Sequence, residues 1–435
     1  MPRALLLTVG TGNLDEIETS LLAPLRKSIA EGTWDRVVLL PSTVTEEHSR
    51  RLRDGLADTA IETRPLPRPE DENDADACFA HFDAEIERLR REGFAADAIT
   101  VDFTRGTKAM SAALVLAAVR HGLPRLRYIT GARDRRGMVI AGTETIREIS
   151  PDIALDRRRI DAAAGLVEKG AFAAALQVLP DPDAAGDGPA RDEAARAALR
   201  AMRAIAAFLA AWDRLDYKAA AHHEPVPAEV LPSSWRGFRP DEAVTGWVAR
   251  LAKMPDRNHH EAMGAWLRPL CVDLLANAER RVRQAQFEDA LVRAYRVLEL
   301  IGQARLFDHG IDSGRVPPDD PQVISLRQRL EKGEGDFGVG RDGRLTASRE
   351  ICARLLKEKG DSFAERLLTF ASQAAELRPN ARNVSVLVHG FEAQAPDDRE
   401  QWRRLLDGLW GLLAEDRDAA ALAQDRRLAS FPAFG

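Results

Sequence analysis

The chain has 435 residues, 45% of them hydrophobic and 30% charged, with a net charge of −6. That balance excludes whole-chain disorder and a generally basic nucleic-acid coat, and the length predicts two or three domains. Its 30 Gly and 23 Pro show no three-residue period, and no apolar run reaches the ~18 residues of a membrane span, which excludes collagen and a spanning helix. Cys78, Cys271 and Cys352 are far apart and odd in number. They offer neither a disulfide framework nor a CxxC pair, a usage that points to a reducing cytoplasm. Of the 62 basic residues 54 are Arg and 8 are Lys, so any single Arg carries little weight.

Residues 1–150 alternate strand and helix. Ala4–Val9 is a continuous apolar run, the pattern of a strand buried on both faces of a parallel sheet. It leads into Gly10-Thr11-Gly12-Asn13 and not into a small-residue cleavage site, so it reads as a strand and not a signal peptide. Leu14–Ala30 has helical spacing, and Arg36–Leu40 is a second strand. Thr43-Val44-Thr45-Glu46 reads as a capping box opening a short helix. A weak strand near Ile61 precedes an acidic segment, Pro69 to Asp76, expected to be a solvated loop. Phe79–Arg91 is an amphipathic helix, Ala98–Phe103 a buried strand and Lys108–His121 an apolar helix. Leu126–Thr130 and Met138–Ala141 flank Asp134-Arg135-Arg136-Gly137, a hairpin signal. These steps imply an α/β, Rossmann-like domain with a mostly parallel sheet and an antiparallel edge.

After Pro151 the chain is all-α. Helices are expected over Ile160–Val178, Glu193–Leu215, Asp241–Ala252, Glu261–Gln286 and Phe287–Leu306, then Ser348–Lys359, Ser362–Glu376, Asn383–Val388 and Arg399–Glu415. A polar break at Pro180–Pro189, a Pro-rich loop at Pro225–Pro240 and a Gly/charge-rich loop at Lys332–Arg344 separate them.

Two loops in the first domain carry chemistry. Gly10-Thr11-Gly12-Asn13 follows the first strand, and Thr104-Arg105-Gly106-Thr107-Lys108 follows the fourth. Loops at the carboxyl ends of parallel strands form the ligand crevice of such sheets. Glycines admit a ligand close to the backbone, and the helix opening at Lys108 offers free N–H groups to an anion. Arg105 and Lys108 add charge and Thr11 and Thr107 add hydroxyls, a set suited to phosphate. Neither loop matches GxGxxG or GxxxxGK[ST], and Asp15 and Glu16 would repel a dinucleotide pyrophosphate. Each loop alone stands equally as a structural turn; together they favour a ligand.

The run Asp102-Phe103-Thr104-Arg105-Gly106-Thr107-Lys108-Ala109-Met110-Ser111 resembles the D-x-T-x-G-T-K-x-M-S signature of the CRISPR-associated Rossmann fold (CARF) domain. The first loop and Tyr128-Ile129-Thr130-Gly131 are similar to that family as well. The resemblance covers residues 1–150. It implies a sensor of cyclic oligoadenylate, paired with a second copy about a two-fold axis, with Gly10, Thr11, Gly12, Asn13, Arg105, Gly106, Thr107 and Lys108 lining the pocket. Arg105 stands where many CARF loops carry a small residue, and the ring size stays open. Some members also cleave the ring; Thr11 and Lys108 are the candidates here.

A second candidate lies at Arg382-Asn383 and His389. Seven residues apart, Arg382 and His389 would share one face of a helix. An imidazole acting as base or acid and a guanidinium stabilising charge on phosphorus suit metal-free cleavage of RNA, with the 2′-hydroxyl as nucleophile and a 2′,3′-cyclic phosphate product. With 54 Arg and 9 His, Arg-x(4–6)-His is expected by chance about three times, so the spacing alone is weak; of the nine His only His389 has it. A core His, or a helix-terminal His before Gly390, are the alternatives. In its context, Arg-Asn, then Val384 and Val386–Val388, then His-Gly, the segment resembles the R-N-x(5)-H motif of HEPN ribonucleases. Helix Asn277–Leu306, with Tyr295-Arg296-Val297-Leu298-Glu299 and Gln303, is similar to the preceding helices of such domains. HEPN sites are composite, so one Arg and one His per chain suffice. Glu299 could support the Arg or serve only in a helix-packing salt bridge.

The two resemblances imply a CARF domain at 1–150, a helical connector at 151–265 and an HEPN domain at 266–435. The expected protein is a cytoplasmic homodimeric endoribonuclease of type III CRISPR antiviral defence. Cyclic oligoadenylate would activate it allosterically to cleave single-stranded RNA, with no metal, cofactor or membrane. The alternatives are a ring nuclease, a nucleotide-sensing regulator or scaffold with an inactive HEPN domain, and a nucleotide-dependent metabolic enzyme. His222-His223 and His259-His260 lack metal-ligand spacing. The seven Trp are expected to fill cores, and Phe307-Asp308-His309-Gly310 to end a helix.

Overall fold

The structure is a computed structural model, and it describes residues 2–12, 14–54, 56, 60–132, 135, 139–140, 142–183, 193–330, 337–340, 343–377 and 399–431. The chain forms two compact units, one of Met1–Ala162 with Leu179–Leu199, the other of Ala163–Val178 with Arg200–Gly435.

The first unit is built on a six-stranded sheet: β1 (Ala4–Val9), β2 (Arg36–Pro41), β3 (Ile61–Thr63), β4 (Ile99–Asp102), β5 (Arg125–Thr130) and β6 (Thr145–Ile149), in the order β3-β2-β1-β4-β5-β6. All pairs are parallel except β5 with β6. The helices of this unit before β6 are α1 (Ala23–Ala30), α2 (Glu46–Asp54), α3 (Ala75–Arg91) and α4 (Lys108–Arg120). Alternation along β1 explains its unbroken apolar run. Ala4 and Leu6 join Val38, Leu40, Phe82, Ile86 and Leu114 on the α3/α4 face. Leu5, Leu7 and Val9 join Val37, Leu39, Leu25 and Trp34 on the α1/α2 face. Each face is covered by helices, so each residue of the strand is buried.

Some local expectations change. The antiparallel edge is there, but its strand is Thr145–Ile149; Val139 forms only a bridge residue, and 138 and 141 lie outside the described residues. The 14–30 segment opens with a 3-10 turn and a wide π-type turn, because Pro24 has no N–H to donate and restricts regular helix to Ala23–Ala30. The acidic segment is largely exposed, as expected, but it is ordered as a turn and buries one carboxylate. Pro69–Asn73 is a 3-10 turn in which the buried Asp71 accepts from Arg68 N and Nε at 3.1 and 3.0 Å, and Asp74 caps α3.

After β6 the described residues are all-α apart from a two-residue β-pairing of Gly338–Val339 with Leu345–Thr346, with helices Asp152–Glu168 and Glu193–Asp213 running from the first unit into the second. The expected helix 160–178 is two, α5 (Asp152–Glu168) and α6 (Phe172–Val178), broken at Gly170 with φ 73°. Then come α7 (Glu193–Asp213), α8 (Tyr217–Ala221), α9 (Ser233–Arg236), α10 (Glu242–Ala252), α11 (His260–Arg283) and α12 (Phe287–Asp308). After these follow α13 (Pro321–Arg329), α14 (Arg349–Glu358), α15 (Ala364–Leu377), α16 (Arg399–Asp416) and α17 (Ala419–Ala429). The long pair α11 and α12 is the spine, against which α14, α16 and α17 pack. Trp212, Trp235, Trp247 and Trp402 fill the core. α11 also buries a polar face: Asp273 accepts from Trp212 Nε1 at 2.8 Å and Tyr217 Oη at 2.7 Å, and Arg280 and Arg281 pair with Asp213. α12 ends at Asp308, with Gly310 in the left-handed conformation beyond it.

Candidate functional site

In the sheet order, β2 and β3 lie to one side of β1 and β4, β5 and β6 to the other, so the topological switch point falls between β1 and β4. The two glycine-bearing loops leave the carboxyl ends of this pair. They meet at Gly10 and Gly106: a Cβ on Gly10 would lie 2.7 Å from Gly106 N and 3.0 Å from its Cα. Gly106 has φ 138°, and a Cβ there would press Thr8 and Met110, each at 3.2 Å. Gly12 also has a positive φ, 65°. Any side chain at Gly10 would force the two backbones apart, which is why glycine is required there.

The second loop is braced from beneath. Asp102, fully buried, accepts from Ser28 Oγ at 2.6 Å, from Thr104 N at 2.9 Å and from the Thr104 hydroxyl. Thr104 Oγ1 in turn accepts from Ile129 N at 2.7 Å. Thr107 caps α4, accepting from Met110 N at 3.2 Å while its hydroxyl donates to the Glu72 carbonyl. Lys108, at the first position of α4, and Thr11 are exposed.

The first loop is held from α2. Thr45 Oγ1 accepts from Ser42 N at 2.9 Å and donates to the Val9 carbonyl at 2.7 Å. His48 Nδ1 donates to the Gly10 carbonyl at 3.2 Å. The expected capping box at Thr43 is not formed: the Thr43 hydroxyl is buried without a partner, and the hydroxyl two residues on bonds to the strand end instead. Asp102, Ser28, Thr45 and His48 are contributors that the sequence reading missed as support for the site. Asp102 opens the motif itself, but the others come from distant segments and carry no local signal.

Arg105 is half-buried and points to a ligand most directly. Its Nε is buried with no hydrogen-bond partner. Burial lowers the guanidinium's pKa, against the pull of Asp102 and Glu144. A buried, unpartnered cationic donor is costly and is normally satisfied by something. Here it sits beside two glycines, two threonines and the amino end of α4, an arrangement that can cradle an anion. Among the described residues, no group of three or more His, Cys, Asp or Glu side chains is placed to hold a metal ion.

Arg382, Asn383 and His389 lie outside the described residues, as does Asn13. Of the residues read with them, Glu299 forms an ion pair with Arg296 at 3.0 Å, one turn back on α12, and Gln303 Oε1 accepts from Arg296 at 3.3 Å. His222 and His223 are adjacent but engage separately, the first with the Lys218 carbonyl and the second against Phe208.

Residues 261–412, a range that includes Arg382–His389, match the family model of the Csm6 HEPN domain. No curated protein matches the sequence. The fold is similar to that of Enterococcus italicus Csm6 bound to cyclic hexa-2'-fluoro-hexa-dAMP, with a TM-score of 0.60 over 99% of this chain and 98% of that one, at 13% identity. The chain thus has a Rossmann-like domain with a mostly parallel sheet followed by helices, of which residues 261–412 match the Csm6 HEPN model, on the overall fold of that Csm6 structure.

Proposed function

We propose that the protein is an endoribonuclease switched on by cyclic oligoadenylate in type III CRISPR defence. The observation that carries this reading is the presence, in one chain, of a phosphate-suited crevice around Gly10, Gly106 and Arg105 with its unpartnered Nε, and of a segment matching the Csm6 HEPN domain. In this reading Gly10, Thr11, Gly12, Asn13, Arg105, Gly106, Thr107 and Lys108 receive the ring. Glycine backbone lets the phosphates approach, Arg105 supplies the charge, and Thr107 and Lys108 orient the amino end of α4 toward them. Two copies of a ring's repeat are met by two copies of the crevice in a homodimer.

The nuclease reaction falls to Arg382, Asn383 and His389. His389 takes the proton from the RNA 2′-hydroxyl as its oxygen attacks the adjacent phosphorus. Arg382 stabilises the charge gathering on the phosphoryl oxygens. The bond to the 5′-oxygen of the next nucleotide breaks and that oxygen takes a proton from water, leaving a 2′,3′-cyclic phosphate and a 5′-hydroxyl. Activation requires only that the ring bind the cleaving conformation better than the idle one. Residues 1–150 act as sensor, 151–265 as connector and 266–435 as nuclease, in the cytoplasm.

The test is the chemistry of the ends. A defined RNA is incubated with the protein and cyclic oligoadenylate in excess chelator, and the fragments are weighed by mass spectrometry. Fragments ending in 2′,3′-cyclic phosphate, absent with His389→Ala and Arg382→Ala, are expected. Fragments that need added metal, or that end in 3′-hydroxyl, would refute the mechanism.

A further inference from the structure

Two neighbouring cavities open in the second unit among α12, α14 and α15, with volumes of about 240 Å³ and 440 Å³, and both are lined by Arg349 and Glu350. The smaller has a partly apolar wall, with Leu298, Gly302, Leu367 and Ala371; the larger is polar, with Glu299, Gln303 and Ser348. The charges of this cleft do not cancel. Glu299 is paired with Arg296 at 3.0 Å, and Glu350 with Arg354 at 2.7 Å. Arg349, part-buried, makes no ion pair with a described residue; its guanidinium instead lies over the Tyr295 ring, 5.8 Å from the centroid. Tyr295 is one turn along α12 from Glu299, on the face that also carries Val292, which is 43% exposed.

We propose that this cleft is a subsite for the RNA substrate, with Arg349 receiving a phosphate and Tyr295 a base beside it; the inference rests on the nuclease reading above. The lining offers an uncompensated guanidinium, an amide and a hydroxyl, here Arg349, Gln303 and Ser348, and Tyr295 beside Arg349 adds an aromatic ring, the groups by which proteins hold single strands. The carboxylates that would repel the strand are already neutralised by their own arginines.

The test is the affinity of the full-length protein for a fluorescent single-stranded RNA. It is measured with cyclic oligoadenylate present, in a His389→Ala background so that nothing is cut. Arg349→Ala is expected to weaken binding about tenfold and to lower the slope of log Kd against log salt by about one. Tyr295→Leu is expected to weaken binding about tenfold with no change in slope, and Arg349→Lys to recover part of the loss. Unchanged affinity and slope in Arg349→Ala would overturn the proposal. So would a change in sedimentation mass with that variant, which would make this face a contact between copies of the chain. If the unmutated protein cuts no RNA while Arg349→Ala still reduces binding and slope, the subsite stands and the nuclease reading falls.

Discussion

Arg105→Met separates a ligand-binding arginine from a structural one, because the two roles move stability in opposite directions. In the free protein Arg105 Nε is buried with no partner, and burial disfavours the charge. Leaving such a donor unsatisfied costs about 1–3 kcal/mol. Met retains an unbranched stem of similar reach and removes both donors and charge. The attraction of Asp102 and Glu144 for the guanidinium offsets part of that cost. A net gain of about 1 kcal/mol is left, equal to about 2–4 °C in Tm for a unit of this size. Binding should go the other way. A hydrogen bond to a charged group is worth about 1.5–3 kcal/mol, so losing it weakens cyclic oligoadenylate binding about ten- to 150-fold. Differential scanning fluorimetry on the ligand-free protein and titration calorimetry with the ring read the two quantities separately. A lower Tm together with unchanged affinity would refute the reasoning and make Arg105 part of the loop's own architecture.

Gly10→Ala places a methyl against the Gly106 backbone at 2.7 Å; overpacking of this kind costs about 1–3 kcal/mol, and calorimetry should show ring binding weakened beyond detection along with a lowered Tm. Gly246→Ala is the control, since a Cβ there meets nothing within 4 Å inside α10 and should stabilise by about 0.5–1 kcal/mol. Thr107→Ala removes the cap of α4 and the bond to the Glu72 carbonyl; a loss of about 1 kcal/mol is expected in urea unfolding, with Thr107→Ser recovering most of it. Asp361 supplies a pH dependence. Burial works to raise its pKa, but hydrogen bonds from Arg305, the Phe363 N–H and His309 outweigh burial and hold it below the ordinary 3.8. Its contribution is therefore complete above pH 3.8 and is lost as the pH falls through the lower folded value. Asp361→Asn should cost about 2–3 kcal/mol at pH 7, less than an isolated buried pair because Arg305 keeps Asp416 at 2.8 Å. The gap in Tm from the unmutated protein should narrow below pH 3.8, and a gap constant with pH would contradict the assignment.

The sheet was legible in the sequence wherever both of its faces are covered. β1 read as a continuous apolar run, and β4 as a buried strand despite Thr100 and Asp102, because helices bury each successive side chain on one face or the other. β6 was not, since four of its five residues are exposed and its sequence, Thr-Ile-Arg-Glu-Ile, carries no strong apolar signal; the more apolar Met138–Ala141 drew the prediction instead. The loops of the crevice were legible through their glycines, whose necessity rests on one close approach between two backbones. The braces under them were not. Ser28, Thr45 and His48 sit on helices or turns far away in sequence, and polar residues there look like any solvated surface. The solvated-loop reading of Asp71 went wrong for the same reason: a carboxylate that closes a turn on Arg68 has the composition of a loop but not its exposure. In the helical unit, the spine α11 and α12 followed from helical periodicity, whereas the buried Asp213–Arg280–Arg281 cluster did not, because charge on a helix usually means solvent.

The central claim is a switch, and it is tested most directly by the rate at which a fluorescent single-stranded RNA is cut in the presence of chelator. The rate is measured with no ring and with cyclic tri-, tetra- and hexa-adenylate in turn. Near silence without a ring is predicted, with strong cleavage on addition of one ring size, lost in both Arg382→Ala and His389→Ala. Cleavage independent of every ring, or none with any ring that demonstrably binds, would contradict it.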